Sequence, residues 1–454
     1  MSYSILPADT SARARKWRAL SRTGSGVSGK AILTALVLAF LFQGLVRAED
    51  KAPARFSLIF AERFRFEAWD NVINLDEASG EGSAYTRNKT TLGLRWLAAK
   101  GLEVTGKVTN EIRAYMMPKD RAFTWHEIFF DNLFAKWRIP GRLPLTVTAG
   151  RQDIFLGEGF IVADGTPLDG SRSFYFNALR LDYDIRPDHK LTFFLHTMDR
   201  IDSLLPVVHD QAQALVEQPE RALAFYYTGG VQKVKLDAYF IRKSVNAPDP
   251  GDVRSRINAW GARAQVPILA PLVMTAEATV QTGTYGDIGR SAFGGITHLD
   301  FTPKWRVPYL KMLTLGGIYL SGDDPATAKR EGWDPLFSRW PKWSEGYIYT
   351  FARESRIAYW SNLNSIYGSL LFDFGGGANA TLTLHRLGAA RAPLGEFPGG
   401  TGLERGWLRI GRLNFTISRF LSGHLQWEHF EPGDFYRPGA SGFNWVRVEF
   451  LFKY

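Results

Sequence analysis

The residues of this chain that could do chemistry are mainly arginines and lysines set on alternate positions. Arg63, Arg65, Arg87, Lys89, Arg95, Lys107, Arg113, Lys233, Lys235, Arg447 and Lys453 fall on one parity of five alternating segments, together with Glu67, Glu103, Glu111, Asp237 and Glu449. Residues two apart in a strand point to the same side. Each segment therefore presents one charged face, and the basic residues outnumber the acidic ones. A surface of this kind concentrates anions, and the interspersed carboxylates keep any one anion from being held too tightly to leave. The chemistry expected is reversible anion binding.

Other chemistries find little support. The chain has no cysteine, which removes disulfides, thiol nucleophiles and thiolate-bound metals. His385, His424 and His429 do not form an HExxH pair, and no nucleophile elbow, phosphate-binding loop or dinucleotide fingerprint occurs. Asp323, Asp324 and Asp334 offer oxygen ligands of the kind calcium takes, but an acidic surface turn explains them as well. Asp164 and Asp169 flank a Gly-rich loop without the fixed separation that paired carboxylates need. No catalytic residue, metal or cofactor is assigned.

The charged faces need strands to carry them, and the period of the chain is two throughout. Leu102, Val104, Gly106, Val108, Ile112 and Ala114 share one face, interrupted only by Asn110, while Glu103, Thr105, Lys107, Thr109, Glu111, Arg113 and Tyr115 share the other. Near the C-terminus Val446, Val448, Phe450, Phe452 and Tyr454 alternate with Arg447, Glu449, Leu451 and Lys453. Reading the whole chain in this way predicts 18 strands, from 56–70 to 442–454. The connections after even-numbered strands are tight, as at Lys100, 186–189, 267–271 and 375–376, whereas 154–173, 200–220, 321–359 and 389–403 are long. Alternating short and long connections are the mark of a transmembrane antiparallel up-and-down β-barrel, short turns in the periplasm and long loops outside. Trp96, Trp137, Tyr183, Trp260, Tyr319 and Trp427 fall toward strand ends, where interfacial aromatic girdles belong.

The formal charge of +10 points to no nucleic acid. Residues 1–48 contain seven Lys or Arg and one acid, Asp9, leaving 48 basic and 44 acidic residues in the remainder. The basic stretch precedes an apolar run from Ala31 to Val46, and Val46 and Ala48 stand at the −3 and −1 places of a small-residue cleavage site. The run falls short of the ~20 residues of a spanning helix. A cleaved signal peptide over 1–48 and a single outer-membrane barrel over 49–454 are expected, with lipid as one partner.

Three segments carry a resemblance. AGRQDIFLGEGFIVADGTPLDGSRSFYFNALRLDY at 149–183 resembles the GRQ segment of the alginate-export family of bacterial outer-membrane barrels. SGDDPATAKREGWDPLFSRWPKW at 321–343 is similar to that family's loop after an SGD strand end, and FEPGDFYRPG at 430–439 to its last hairpin. The resemblance implies an 18-stranded barrel acting as a passive conduit for an acidic polysaccharide, with Arg151 and Arg180 at the pore, and periplasmic export components as further partners. Asp153 stands where the alginate exporter has another basic residue. The pore-lining set expected from pattern and resemblance together is Arg151, Arg180, Arg63, Arg65, Arg95, Lys107, Arg113, Glu103, Glu111, Asp153, Arg447 and Glu449. An electropositive lumen of this kind fits an export conduit for an anionic polysaccharide. It also fits a general or substrate-selective porin for small anionic solutes, and an enzyme or adhesin built on a barrel is the third class.

Overall fold

The structure, a computed structural model, describes residues 55–141, 143–163, 175–304, 307–339, 343–355, 360–393 and 397–454. The expected signal peptide and the acidic pair Asp164 and Asp169 lie outside these residues. Eighteen wall strands follow one another in chain order: β1 Phe56–Asp70, β2 Gly82–Ala99, β3 Leu102–Met117, β4 Thr124–Arg138, β5 Leu145–Gln152, β6 Phe176–Arg186, β7 His189–Met198, β8 Glu220–Val231 and β9 Val234–Val245. They continue with β10 Ser255–Leu269, β11 Leu272–Tyr285, β12 Ile288–Phe301, β13 Leu310–Leu320, β14 Leu363–Gly375, β15 Ala378–Gly388, β16 Glu404–Thr416, β17 Leu421–Pro432 and β18 Phe443–Lys453.

Every neighbour pairing is antiparallel, and β18 pairs with β1, Arg65 opposite Glu449 and Glu67 opposite Arg447, so the sheet closes on itself. Closure leaves no strand edge of unpaired N–H and C=O groups, which hydrocarbon cannot tolerate. The expected strand count and order hold. Two-residue turns join β2 to β3, β6 to β7, β8 to β9, β10 to β11 and β14 to β15 at one end. The connections at the other end are longer, except for the tight Gly286-Asp287 turn between β11 and β12.

Alternation decides which side chains face which medium. Phe225, Trp260, Leu315, Ile366 and Leu382 are exposed on the outside, where lipid replaces water. Trp96, Trp137 and Tyr183 are exposed near the short-turn end and Trp260, Tyr319 and Trp427 in the half nearer the long loops, two girdles at the depths where amphipathic rings are favoured. A closed sheet with an apolar, aromatic-bounded exterior is a bacterial outer-membrane barrel. Asn110, the polar interruption on β3, donates from Nδ2 to His126 O at 2.9 Å and Glu127 O at 3.2 Å, where the β3–β4 register shifts.

The long loops turn inward and give the barrel an apolar core of its own. The segment after β5 buries Ile154, Phe160, Ile161 and Val162, and the one after β13 buries Trp333, Leu336 and Phe337. Phe160 stacks on Trp333 at 5.3 Å, and Phe337 N–H donates to Ile161 O at 3.1 Å. Helix α1, Gly346–Ser355, follows. Its first turn is satisfied by Ser344 Oγ, which accepts from Tyr347 N–H at 3.1 Å, and by the Glu428 carboxylate of β17, which accepts from Glu345 N–H at 2.7 Å and Gly346 N–H at 3.0 Å. Each large apolar side chain removed from water here contributes on the order of 1.5–3 kcal/mol.

Candidate functional site

The strongest constellation lies on the lumenal parity of β18, β1, β2 and β3. In register, Arg63 faces Lys89, Arg65 faces Arg87, and Arg87 in turn faces Arg113. Left alone, these cations would repel. Three carboxylates hold them: Glu111 lies 2.7 Å from Arg87 Nε, 3.3 Å from Arg113 and 3.6 Å from Arg63; Glu449 lies 2.7 Å from Arg65; and Glu67 pairs with Arg447 and, at 3.6 Å, Arg65. Arg447 also reaches Glu345 of the inward loop at 2.8 Å. Guanidinium groups thus outnumber the carboxylates that fix them. The ladder extends to Arg412 on β16, which bonds the amide oxygens of Asn414 at 2.8 Å and Gln426 at 3.0 Å, and to Lys89; neither makes an ion pair among the described residues.

A second group lines a recess of about 360 Å³ on the inner face of β4 to β7, with Lys136, Arg138, Arg180 and Lys190 facing Asp153, Asp182 and Asp184. Arg180 Nε lies 2.9 Å from Asp182, and Lys107 reaches Asp153 at 3.9 Å. Glu103 accepts from Thr105 Oγ1 at 3.2 Å. Arg95 shares the lumenal parity of Arg87 and Lys89, and its Nε has no hydrogen-bond partner among the described residues.

Arg151 is a correction. Its parity is that of the outward Val147 and Ala149, and its guanidinium is buried, not lumenal. It bonds Asn177 Oδ1 and Phe130 O, each at 3.0 Å, and pairs with Asp202 of the β7–β8 loop, while Tyr175 stacks on it at 3.9 Å. The preceding Gly150 has φ +122, where a Cβ would meet Leu133 O at 2.3 Å. Glycine is the residue that tolerates this conformation at the strand end. The acids weighed as calcium ligands each have a basic partner: Asp323 pairs with Arg330, Asp324 with Arg391 at 3.2 Å, and Asp334 with Lys243 at 3.3 Å.

The opposite wall carries a group of which the sequence pattern singled out only Asp237. In an 18-strand ring β10 lies nine strands from β1, and here Arg263 of β10 pairs with Glu158 at 2.9 Å and Asp237 at 3.3 Å. His298 of β12 meets the same Glu158 at 3.1 Å and Asp300 at 3.1 Å, and Glu277 accepts from Tyr239 OH at 2.8 Å. Glu158 stands on the inward loop. Burial would raise its carboxyl, but hydrogen bonds from His298 and Arg263 prevail and hold it at about 2. The flanking Gly157 (φ +60) is the available signal: a Cβ there would meet Tyr226 OH at 2.8 Å.

This architecture, a closed 18-strand antiparallel barrel with a charged interior, is the fold of a bacterial outer-membrane barrel. Solved structures agree. The chain is similar to the outer membrane protein OpdK of Pseudomonas aeruginosa (TM-score 0.55, 10% identity, covering 88% of this chain and 98% of that one) and to OccK7 (OpdD) of the same organism (0.55, 14%, 88% and 99%). It is also similar to P. aeruginosa OccK2 (OpdF) in complex with glucuronate (0.54, 13%, 88% and 96%). No family model and no curated protein matches the chain. The comparisons therefore support the 18-strand outer-membrane barrel fold, and none of them supports the alginate-export resemblance.

Proposed function

We propose that the chain is a porin for small anionic solutes, carboxylates above all, that enter the lumen along the arginine ladder. The observation that carries this reading is the row Arg412, Arg447, Arg65, Arg63, Arg87, Lys89 and Arg113, in which basic groups exceed the acids that fix them. A guanidinium presents a planar donor fork matched to a carboxylate, and neighbouring forks let the solute exchange partners as it moves. Inward loops that pack on the wall favour a small solute over a threaded polymer, so the polysaccharide conduit is the weaker reading. Glucuronate bound to one of the similar porins is a carboxylate of the size this reading calls for. Residues 1–48 would serve as the export leader and 49–454 as the channel.

The test is reversal potential in planar bilayers, with block by glucuronate. Lys89→Gln with Arg412→Gln neutralises two cations that form no ion pair among the described residues. It should shift selectivity toward cations and weaken block, less so at 1 M salt, where the screening length falls to about 3 Å. Unchanged selectivity and block would reject the ladder as the anion path.

A further inference from the structure

We infer that the outer surface of β8 to β10 binds the phosphorylated headgroup of an outer-leaflet lipid through Arg221, Arg242 and Arg256. The three arginines are exposed and lie on the outward parity of adjacent strands, since their neighbours Glu220, Ala222, Ile241, Lys243, Ser255 and Ile257 are buried on the inside. The register makes them a cluster. Ser244 of β9 pairs with Arg221 on one side and Arg256 on the other, and Arg242 lies two residues below Ser244, opposite Leu223 and Asn258. The three side chains thus surround one serine within two strand spacings, roughly 10 Å across.

Their depth identifies the occupant. One outward step toward the short-turn end stand Phe225, Phe240 and Trp260 in register, with Phe240 and Trp260 rings 4.2 Å apart. Such a row marks the boundary of the hydrocarbon, so the arginines occupy the headgroup layer next to it. With the long loops outside the cell, that layer is the outer leaflet. Their lack of partners is the second clue. The other outward-facing arginines on wall strands toward this end are neutralised, Arg409 by Glu431 at 3.0 Å and Arg386 by Glu404 at 3.5 Å. Arg221, Arg242 and Arg256 make no ion pair among the described residues. Three guanidinium forks of like charge converging on a hydroxyl suit a phosphate monoester, whose oxygens can take several donors at once. The lipid tails would then lie along the apolar wall below. This inference concerns the outside of the barrel and is independent of the lumenal cargo.

The full chain would be reconstituted and titrated with a bisphosphorylated glycolipid in phosphatidylethanolamine vesicles, with the dephosphorylated glycolipid and inorganic phosphate as separate arms. The wild type should prefer the phosphorylated lipid. R221Q/R242Q/R256Q should bind it at least about tenfold more weakly, whereas R386Q/R409Q should bind like the wild type. R242Q alone should show a smaller loss in the same direction, and serves should the triple variant fail to fold. Equal binding by the triple variant and the wild type, or equal binding of the dephosphorylated lipid, would overturn the proposal. Displacement of the lipid by inorganic phosphate at matched concentration would assign the cluster to a free anion instead and overturn it as well.

Discussion

Replacing Arg151 by Gln separates a pore residue from a wall residue. The guanidinium makes two hydrogen bonds of 3.0 Å, an ion pair with Asp202 and a stacking contact with Tyr175 at 3.9 Å, all without access to solvent. Removing one partner of a buried pair costs about 3–5 kcal/mol, because the other charge is left uncompensated. Asp202 would not be wholly abandoned: Tyr175 OH, Asn177 Nδ2 at 3.2 Å and Leu204 N–H at 3.2 Å still donate to it. The loss should therefore sit at the lower end, about 3 kcal/mol, which corresponds to roughly a hundredfold greater opening of the β7–β8 loop. Limited proteolysis or hydrogen exchange across 199–219 would measure it, and the double variant with Asp202→Asn should lose less than the sum of the two single changes. Ion selectivity should not move. A shifted reversal potential in a variant whose 199–219 loop stays protected would refute this account and return Arg151 to the lumen.

Three further outcomes are expected. Val448→Arg places a charge on the lipid side and should destabilise by about 2–4 kcal/mol near the midplane, whereas Thr105→Arg on the lumenal side should cost far less, as read by urea unfolding in lipid; equal costs would mean that the faces are misassigned. Because Glu158 is held at about 2, its contribution is present in full above the ordinary carboxylate range and is lost as pH falls toward that value, so protection of 153–163 from exchange should decline between about pH 4.5 and 2 and lose this dependence in Glu158→Gln. Epitope tags at 325–328 should be labelled on intact cells and tags at 187–188 should not, with the mature chain beginning at Glu49 by N-terminal sequencing.

The wall was legible because a closed sheet with two unlike media has only one way to satisfy alternation. Val104 against Thr105, or Val448 against Glu449, states the side of each residue without reference to any other strand. The ladder was partly legible for the same reason, although Arg412 lay beyond the segments whose alternation was cleanest. Arg151 escaped because its orientation depends on Asp202, some fifty residues on, and on a kink at Gly150. Glu158 escaped because its partners Arg263 and His298 are remote in sequence and meet it only when the loop folds inward.

Two places in the sheet would be incomplete if the wall strands stood alone. The upper part of β4 extends past its pairing with the short β5, and there Val207–Val208 of the β7–β8 loop adds two residues against Ile128 and Phe129. Beside the tight β11–β12 turn, Lys329–Arg330 of the β13–β14 loop pairs in parallel with Gly289 and Arg290. Loops of outer-membrane barrels are commonly the parts that change freely in length. Here two of them also finish the backbone hydrogen bonding of the wall, so each contains a patch whose register is fixed. Insertions at 325–328 would lengthen the loop beside its patch, whereas a deletion that drew either patch out of register would leave peptide groups unpaired at the rim. The room for variation in this barrel's outer surface is set by those four residues.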